Sequence, residues 1–187
     1  DVPTLISELV APATPFSYSL ADLATNLATA DALLVTHATA VTATSAANVA
    51  EATTIYREAI GHGTYSLADT AANLASASAA LVTLATAVTA TTAAHVAEAF
   101  TIHAEKTAAV YDIADSAATV ATALTSLNPN LATLESAATI AVTEADGRLS
   151  VNNQQFHNLL LAGTAGHGHL LVANDTIAIN DVSANLG

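Results

Sequence analysis

An internal repeat constrains the fold of this chain more than any other feature. The segment YSLADLATNLATA begins at Tyr18, and the similar segment YSLADTAANLASA begins 47 residues later at Tyr65. A third copy opens at Tyr111 with YDIADSAATVATAL. Because each unit of a repeat protein packs mainly against its neighbours, this self-similarity favours a stacked array over one globular core.

Each copy also contains a weaker half-repeat. Asp or Thr is followed by small residues and then, four positions later, by Asn, His or Thr and an aliphatic residue. Asp and Thr accept hydrogen bonds from the free amides of a helix's first turn, and the Ala-rich sequence that follows has high helix propensity. The predicted helix N-caps are Asp22, Thr44, Asp69, Thr91, Asp115 and Asp181.

Short segments with alternating character stand just before the first five of these caps and predict strands. They cover residues 18–20, 41–43, 65–67, 88–90 and 111–113. The Ala-rich stretches between them have the length that a crossover between parallel strands requires. We therefore predict an α/β solenoid of short parallel strands and helices with about 23 residues per coil. An all-α helical-pair repeat is the alternative, because two-helix repeats have a similar period.

The sequence after residue 137 departs from the repeat. Ala145-Asp146-Gly147 predicts a turn between two strands, and the last twenty or so residues predict another strand pair. We expect hairpin insertions in this region. The predicted organisation is a lead-in over 1–17, a repeat array over 18–137 with copies starting near 18, 65 and 111, and divergent strand-rich repeats over 138–187 that end within an unfinished repeat.

The net charge of the chain limits the classes of partner that it can bind. Three basic residues stand against sixteen acidic ones, which gives a formal net charge of -13. Phosphate backbones would repel such a chain, so we expect no nucleic-acid partner. Residues 70–97 contain no Asp, Glu, Lys or Arg. Recurrent Thr, Ser and Asn, and the lack of interfacial Trp, Lys and Arg, nevertheless argue against a membrane span.

The segments YSLADTAANLASA, YDIADSAATVATAL and TIAVTEADGRLSVNNQQF resemble the DTAANL-type repeats of giant Ala/Thr-rich bacterial surface proteins, which are often exported by type I secretion. The resemblance covers most of residues 18–186. It implies an extracellular structural or adhesive module of a surface layer, filament or adhesin stalk, which associates with identical or neighbouring repeats. It carries over no catalytic residue.

We expect no cofactor, and calcium is the alternative that the acidic character and this resemblance leave open. In a stacked array, the recurring Asp residues would line one edge, where carboxylates attract cations. The chain lacks the Gly-Gly-x-Gly-x-Asp nonapeptides that bind calcium in related repeats.

The seven histidines are the candidate metal ligands, since the chain has no Cys. His167 and His169 flank a glycine, and alternate residues of an extended segment point to the same side. His157 is the third candidate. The alternative function is therefore a metal- or haem-binding extracellular module that uses these histidines. No Gly-x-Ser-x-Gly elbow, phosphate loop, His-Glu-x-x-His motif or dinucleotide fingerprint occurs, so we expect no enzyme.

Overall fold

The computed structural model of the protein describes residues 17–125, 128, 130–164 and 175–180. The strands in this part of the chain are β1 (Ser19–Asp22), β2 (Ala40–Ala43), β3 (Gly63–Thr64), β4 (Leu67–Asp69), β5 (Val88–Ala90), β6 (Ile113–Asp115), β7 (Ile140–Val142), β8 (Arg148–Val151) and β9 (Thr176–Ile179). The helices are α1 (Ala24–Ala28), α2 (Ala32–His37), α3 (Val49–Glu58), α4 (Ala71–Ser76), α5 (Ala79–Leu84), α6 (Val96–Glu105), α7 (Ala117–Ala123), α8 (Leu131–Ser136) and α9 (Asn153–Thr164).

The order of elements repeats with the sequence. Each copy has a strand, two short helices, a second strand and one longer helix, as in β1, α1, α2, β2 and α3. The second copy has the same order from β4 to α6. The third runs from β6 to α9, with β8 added before its longer helix. The two half-repeats of a copy therefore differ, because one carries two short helices and the other carries one longer helix.

The chain divides into two compact units. Unit 1 comprises Asp1–Ala68 and Ser78–Ala87, and unit 2 comprises Asp69–Ala77 and Val88–Gly187. In unit 1, β1, β2 and β3 form a parallel sheet in that order, with Leu20 opposite Val41. In unit 2, β6 pairs with β7 and β8 pairs with β9, and both pairs are parallel. The predicted mixture of helices and short parallel strands is confirmed, and the all-helical alternative is wrong.

The hairpin predicted around Ala145-Asp146-Gly147 is wrong, while most of the second predicted strand pair lies outside the described residues. The turn before β8 forms as expected: the Gly147 amide donates to the Glu144 carbonyl at 2.9 Å, and Gly147 has φ 57. The strands on either side of this turn do not pair with each other, because β7 pairs with β6 and β8 pairs with β9. A turn signal fixes a local change of direction, whereas the pairing partner depends on contacts distant in sequence.

Glycine also shapes the return from α3 to β3. Gly61 has φ 80, a left-handed conformation that L side chains rarely adopt and that glycine tolerates after a helix. A Cβ on Gly63 would lie 3.1 Å from the Ala59 Cβ and 3.2 Å from the Ala59 carbonyl oxygen. The Gly-His-Gly sequence is therefore a close turn, as its position after a helix predicts.

The buried core consists of small and aliphatic residues at equivalent positions of successive copies. Among the described residues, the aliphatic residue that ends each Asp-x-x-x-Asn/Thr motif is buried, and so is the seventh residue of each longer helix. These positions are Leu27, Leu74 and Val120 for the motif, and Ile55, Ile102 and Leu159 for the helices. Burial of such a side chain contributes about 1.5–3 kcal/mol, so the apolar spacing of the repeat accounts for much of the packing.

In the described part of the chain, no helix has both the length and the apolar character needed to cross a bilayer. The structure divides residues 70–97 among α4, α5, β5 and the start of α6.

Candidate functional site

The tyrosine that opens each copy binds the second short helix of the same copy. Its hydroxyl donates to the carbonyl of the third residue of that helix, one of the carbonyls that a six-residue helix leaves without an internal partner. The three bonds are Tyr18 Oη to Leu34 O at 2.6 Å, Tyr65 Oη to Leu81 O at 2.9 Å and Tyr111 Oη to Thr133 O at 2.9 Å. The sequence showed that these tyrosines open each copy of the repeat, but it did not indicate that they bind a helix carbonyl.

The aspartate that closes the first strand of each copy binds amides of the next segment. Asp22 Oδ1 accepts from the Leu23 amide at 2.7 Å and from Asn26 Nδ2 at 2.9 Å. Asp69 Oδ1 makes the equivalent bonds, to the Thr70 amide at 2.7 Å and Asn73 Nδ2 at 2.8 Å. The Asp-x-x-x-Asn spacing thus places a carboxylate and an amide that lie one helical turn apart in direct contact.

Asp115 is the third member of the series, and it has an additional partner. Its Oδ1 accepts from the Ser116 amide at 2.7 Å, and its Oδ2 accepts from the Val96 amide at 2.9 Å. Val96 is the first residue of α6, so the carboxylate holds a free amide at the start of a helix from another half-repeat. A carboxylate at this position also interacts favourably with the helix dipole.

A second side chain reaches back to the first short helix of each copy. It follows the second strand, and its oxygen accepts from the amide of the helix's first residue. The bonds run from Ala24 N to Ser45 Oγ at 3.0 Å, from Ala71 N to Thr92 Oγ1 at 3.1 Å and from Ala117 N to both Glu144 carboxylate oxygens at 2.8 and 2.9 Å. Three different residue types therefore perform one structural task.

Backbone hydrogen bonds also join the segment after the second strand to the end of the first strand in each copy. The amide of the residue before this side chain donates to the carbonyl of the aspartate that ends the first strand. The bonds are Thr44 N to Asp22 O at 2.8 Å, Thr91 N to Asp69 O at 2.8 Å and Thr143 N to Asp115 O at 3.0 Å. Each pair lies within one of the two units.

The predicted N-caps need correction. The aspartates precede the observed caps by one residue, because each aspartate is the last residue of a strand and Leu23, Thr70 or Ser116 is the cap. Thr44 and Thr91 precede the observed caps, Asn48 and His95, by four residues. The physical reason is that Thr44 and Thr91 continue the strand-to-strand backbone bonds, and a short link separates them from the helix. Asp181 lies outside the described residues.

The longer helices start with a signal that the sequence contains. Asn48 Oδ1 accepts from the Glu51 amide at 2.9 Å, and Glu51 Oε2 accepts from the Asn48 amide at 3.1 Å. Asn152 and Gln155 exchange the same two bonds at the start of α9, at 2.8 Å each. These helix starts could have been predicted from the sequence, because a capping residue is followed three positions later by Glu or Gln.

His95 occupies the capping position in the second copy. Its amide donates to Glu98 Oε2 at 2.9 Å, as the Asn48 amide does to Glu51. Its Nδ1 lies 3.8 Å from Asp115 Oδ2, with the imidazole 67% exposed and the carboxylate 16% exposed. The protonated imidazole would therefore form a weak, solvent-screened ion pair with Asp115.

The described part of the structure contains one of the three candidate metal ligands. His157 lies on α9 and is exposed, while His167 and His169 are outside the described residues. No group of three or more His, Cys, Asp or Glu side chains with metal-binding geometry occurs among the residues that the structure describes.

Burial and hydrogen bonding shift the pKa of several of these groups. The Asn26 amide, followed by the Leu23 amide, lowers the pKa of the Asp22 carboxyl. Burial raises the pKa of Tyr111 to about 12, and it raises the pKa of Tyr65 as well. The recurring polar groups therefore have protonation states that suit fixed hydrogen bonds at neutral pH.

No family model, curated protein or solved structure matches this chain. Its repeated residues themselves indicate what the arrangement does. Each recurring tyrosine, and each hydroxyl or carboxylate acceptor that follows the second strand, binds a backbone group of another segment of the same unit. Asp115 does the same at the Val96 amide. The side chains at these positions therefore hold one segment of the chain to another through hydrogen bonds.

Proposed function

We propose that this chain is a structural module of an extracellular repeat protein, in which strand-and-helix coils of about 23 residues stack as a solenoid. One observation carries the proposal. The polar residues that recur between copies bind backbone groups of an adjacent coil, as Thr92 does for the Ala71 amide. A repeat selected for stacking needs such residues in every copy. A chain selected for a single binding site needs its site residues in one copy only.

The pairing of strands supports the solenoid. In unit 1, β1, β2 and β3 lie parallel in chain order, and helices separate each from the next. A right-handed crossover through the intervening helices would place the next strand in the same direction each time.

Small-angle scattering of the full chain tests this stacking. We expect a distance distribution with the long tail of an elongated particle. A symmetric distribution, as given by a compact sphere of the same mass, would contradict the solenoid. Circular dichroism of the same sample should show both helix and strand.

The resemblance to DTAANL-type repeats and the net charge of -13 support an extracellular or cell-surface setting. We propose that the module extends a surface layer, filament or adhesin stalk and associates with identical or neighbouring repeats. The parallel sheets favour such association, because a strand edge can accept another strand through backbone hydrogen bonds.

Electron microscopy of the native source and sedimentation of the purified chain test this association. We expect ordered surface assemblies in the first and a sedimentation coefficient that rises with protein concentration in the second. Compact, unassociated monomers in both measurements would exclude the filament and surface-layer forms of the proposal.

A further inference from the structure

Tyr65 and Tyr111 open the second and third copies, and their surroundings differ. In unit 1, Tyr65 donates to the carbonyl of Leu81, whose side chain is buried. Burial is the main cause of the raised pKa of Tyr65, and the nearby Tyr56 raises it further. Tyr56 belongs to α3 and Leu81 to α5, and these two helices pack together.

In unit 2, Tyr111 occupies the position that Tyr65 has in unit 1. It donates to the carbonyl of Thr133, which replaces Leu81 as the third residue of the second short helix. His103 replaces Tyr56 on the longer helix, and its ring lies edge-on to Tyr111, with centroids 6.4 Å apart and planes at 79°. The helices that carry His103 and Thr133, α6 and α8, pack together as α3 and α5 do.

Both replacements put a smaller and more polar side chain beside the buried tyrosine. Thr133 is 1% exposed, and its Oγ1 has no hydrogen-bond partner in the described part of the chain. The Nδ1 of His103 is likewise buried without a partner there. Buried polar groups in folded proteins nearly always bind a protein group or an ordered water molecule. Two such atoms next to one tyrosine therefore indicate a polar site.

We propose that His103 Nδ1 and Thr133 Oγ1, beside Tyr111, form a buried site that binds one ordered water molecule. Water matches both atoms, because it donates to or accepts from either histidine tautomer and the threonine hydroxyl. Both replacements, Leu to Thr and Tyr to His, reduce the side-chain volume beside the buried tyrosine. The site joins α6 to α8 through solvent, and it is independent of the proposed extracellular role.

A crystal structure of the full chain that resolves ordered solvent tests the site directly. We expect one water oxygen at about 2.7–3.2 Å from both His103 Nδ1 and Thr133 Oγ1. The proposal would be overturned if either atom bound a protein group, or if no water lay between them.

Thermal unfolding of variants gives a second test. Thr133→Val and His103→Phe should each lower Tm, and the double variant should lose less than the sum of the two, because both partners of the water are removed together. Leu81→Val and Tyr56→Phe are the matched controls in unit 1, where we expect additive losses. Additive losses in unit 2 as well would refute the shared water.

Discussion

At the scale of single residues, this protein uses polar side chains to satisfy backbone groups that short helices leave open. The tyrosine hydroxyls bind carbonyls near helix C-termini, and the aspartates bind amides near helix N-termini. A helix of five to seven residues leaves most of its backbone groups without internal partners, so such side chains are needed throughout.

Asn26 should control the acidity of Asp22. Its side-chain amide is the largest cause of the lowered pKa of this carboxyl. Asn26→Ala should therefore raise the pKa of Asp22 toward the value of about 3.9 for an unperturbed Asp, as measured by NMR titration. Asn73→Ala, which leaves Asp22 untouched, is the matched control. An unchanged Asp22 pKa in Asn26→Ala would contradict this account of the Asp-x-x-x-Asn motif.

Tyr111 should make the protein sensitive to alkali. Its pKa is about 12 in the folded state, against about 10 in an unfolded chain. Because the folded pKa is raised, the stabilisation is complete below about pH 10 and is lost as the pH rises toward about 12.

Denaturant unfolding across this pH range should therefore show a steeper loss of stability in the wild type than in Tyr111→Phe. Tyr65, whose pKa burial also raises, is present in both proteins, so the difference reports Tyr111 alone. Parallel curves for the two proteins would show that Tyr111 ionisation does not govern the loss.

At the scale of elements, short helices are held by segments that lie elsewhere in the sequence. The first amide of α4 binds Thr92, and that of α7 binds Glu144. Isolated helices of this length are unstable in water, so tertiary contacts are what make them form. Ser, Thr and Glu all serve at this position, and this variation hides the motif from a search for identical residues.

Thr92→Val should expose the start of α4. The variant keeps the shape of the side chain but removes the oxygen that accepts from the Ala71 amide. We expect faster hydrogen exchange at Ala71 and a loss of about 0.5–2 kcal/mol in the free energy of unfolding. Thr91→Val is the matched control, because Thr91 bonds to Asp69 through its backbone amide. Equal exchange rates in the two variants would refute the role of the Thr92 hydroxyl.

At the scale of the whole molecule, the core depends on aliphatic residues that recur at fixed positions of each copy. Ala, Val, Leu and Ile supply nearly all of the buried apolar residues, and Tyr65 and Tyr111 are the aromatic exceptions in the described part of the chain. Such side chains fill thin layers between short elements, where each one matters because protein interiors are closely packed.

Leu159 and Leu160 on α9 give a direct comparison of buried and exposed positions. Leu159 is 5% exposed, whereas Leu160 is 53% exposed. Leu159→Ala should lower the free energy of unfolding by about 2–5 kcal/mol, and Leu160→Ala should change it by about 0.5 kcal/mol or less. Chemical denaturation measures both, and similar losses would contradict the burial pattern of the third copy.

The repeat and the alternating segments were sufficient to predict a mixture of short strands and helices. They placed the strands within a few residues, because the apolar spacing that marks a strand is local and recurs in each copy. The tertiary structure decided which backbone group each polar residue binds. Asp22 proved to end a strand, and Thr44 proved to precede its helix by a link that ends in Asn48.

The sequence by itself determined the repeat, its acidic charge and the mixture of short strands and helices, because these depend on residue type and period. Only the tertiary structure decided that β7 pairs with β6, that α7 starts against Glu144 and that His103 meets Tyr111. Each of these contacts joins residues far apart in the chain. Their formation depends on how loops close and helices pack, which local propensity does not specify.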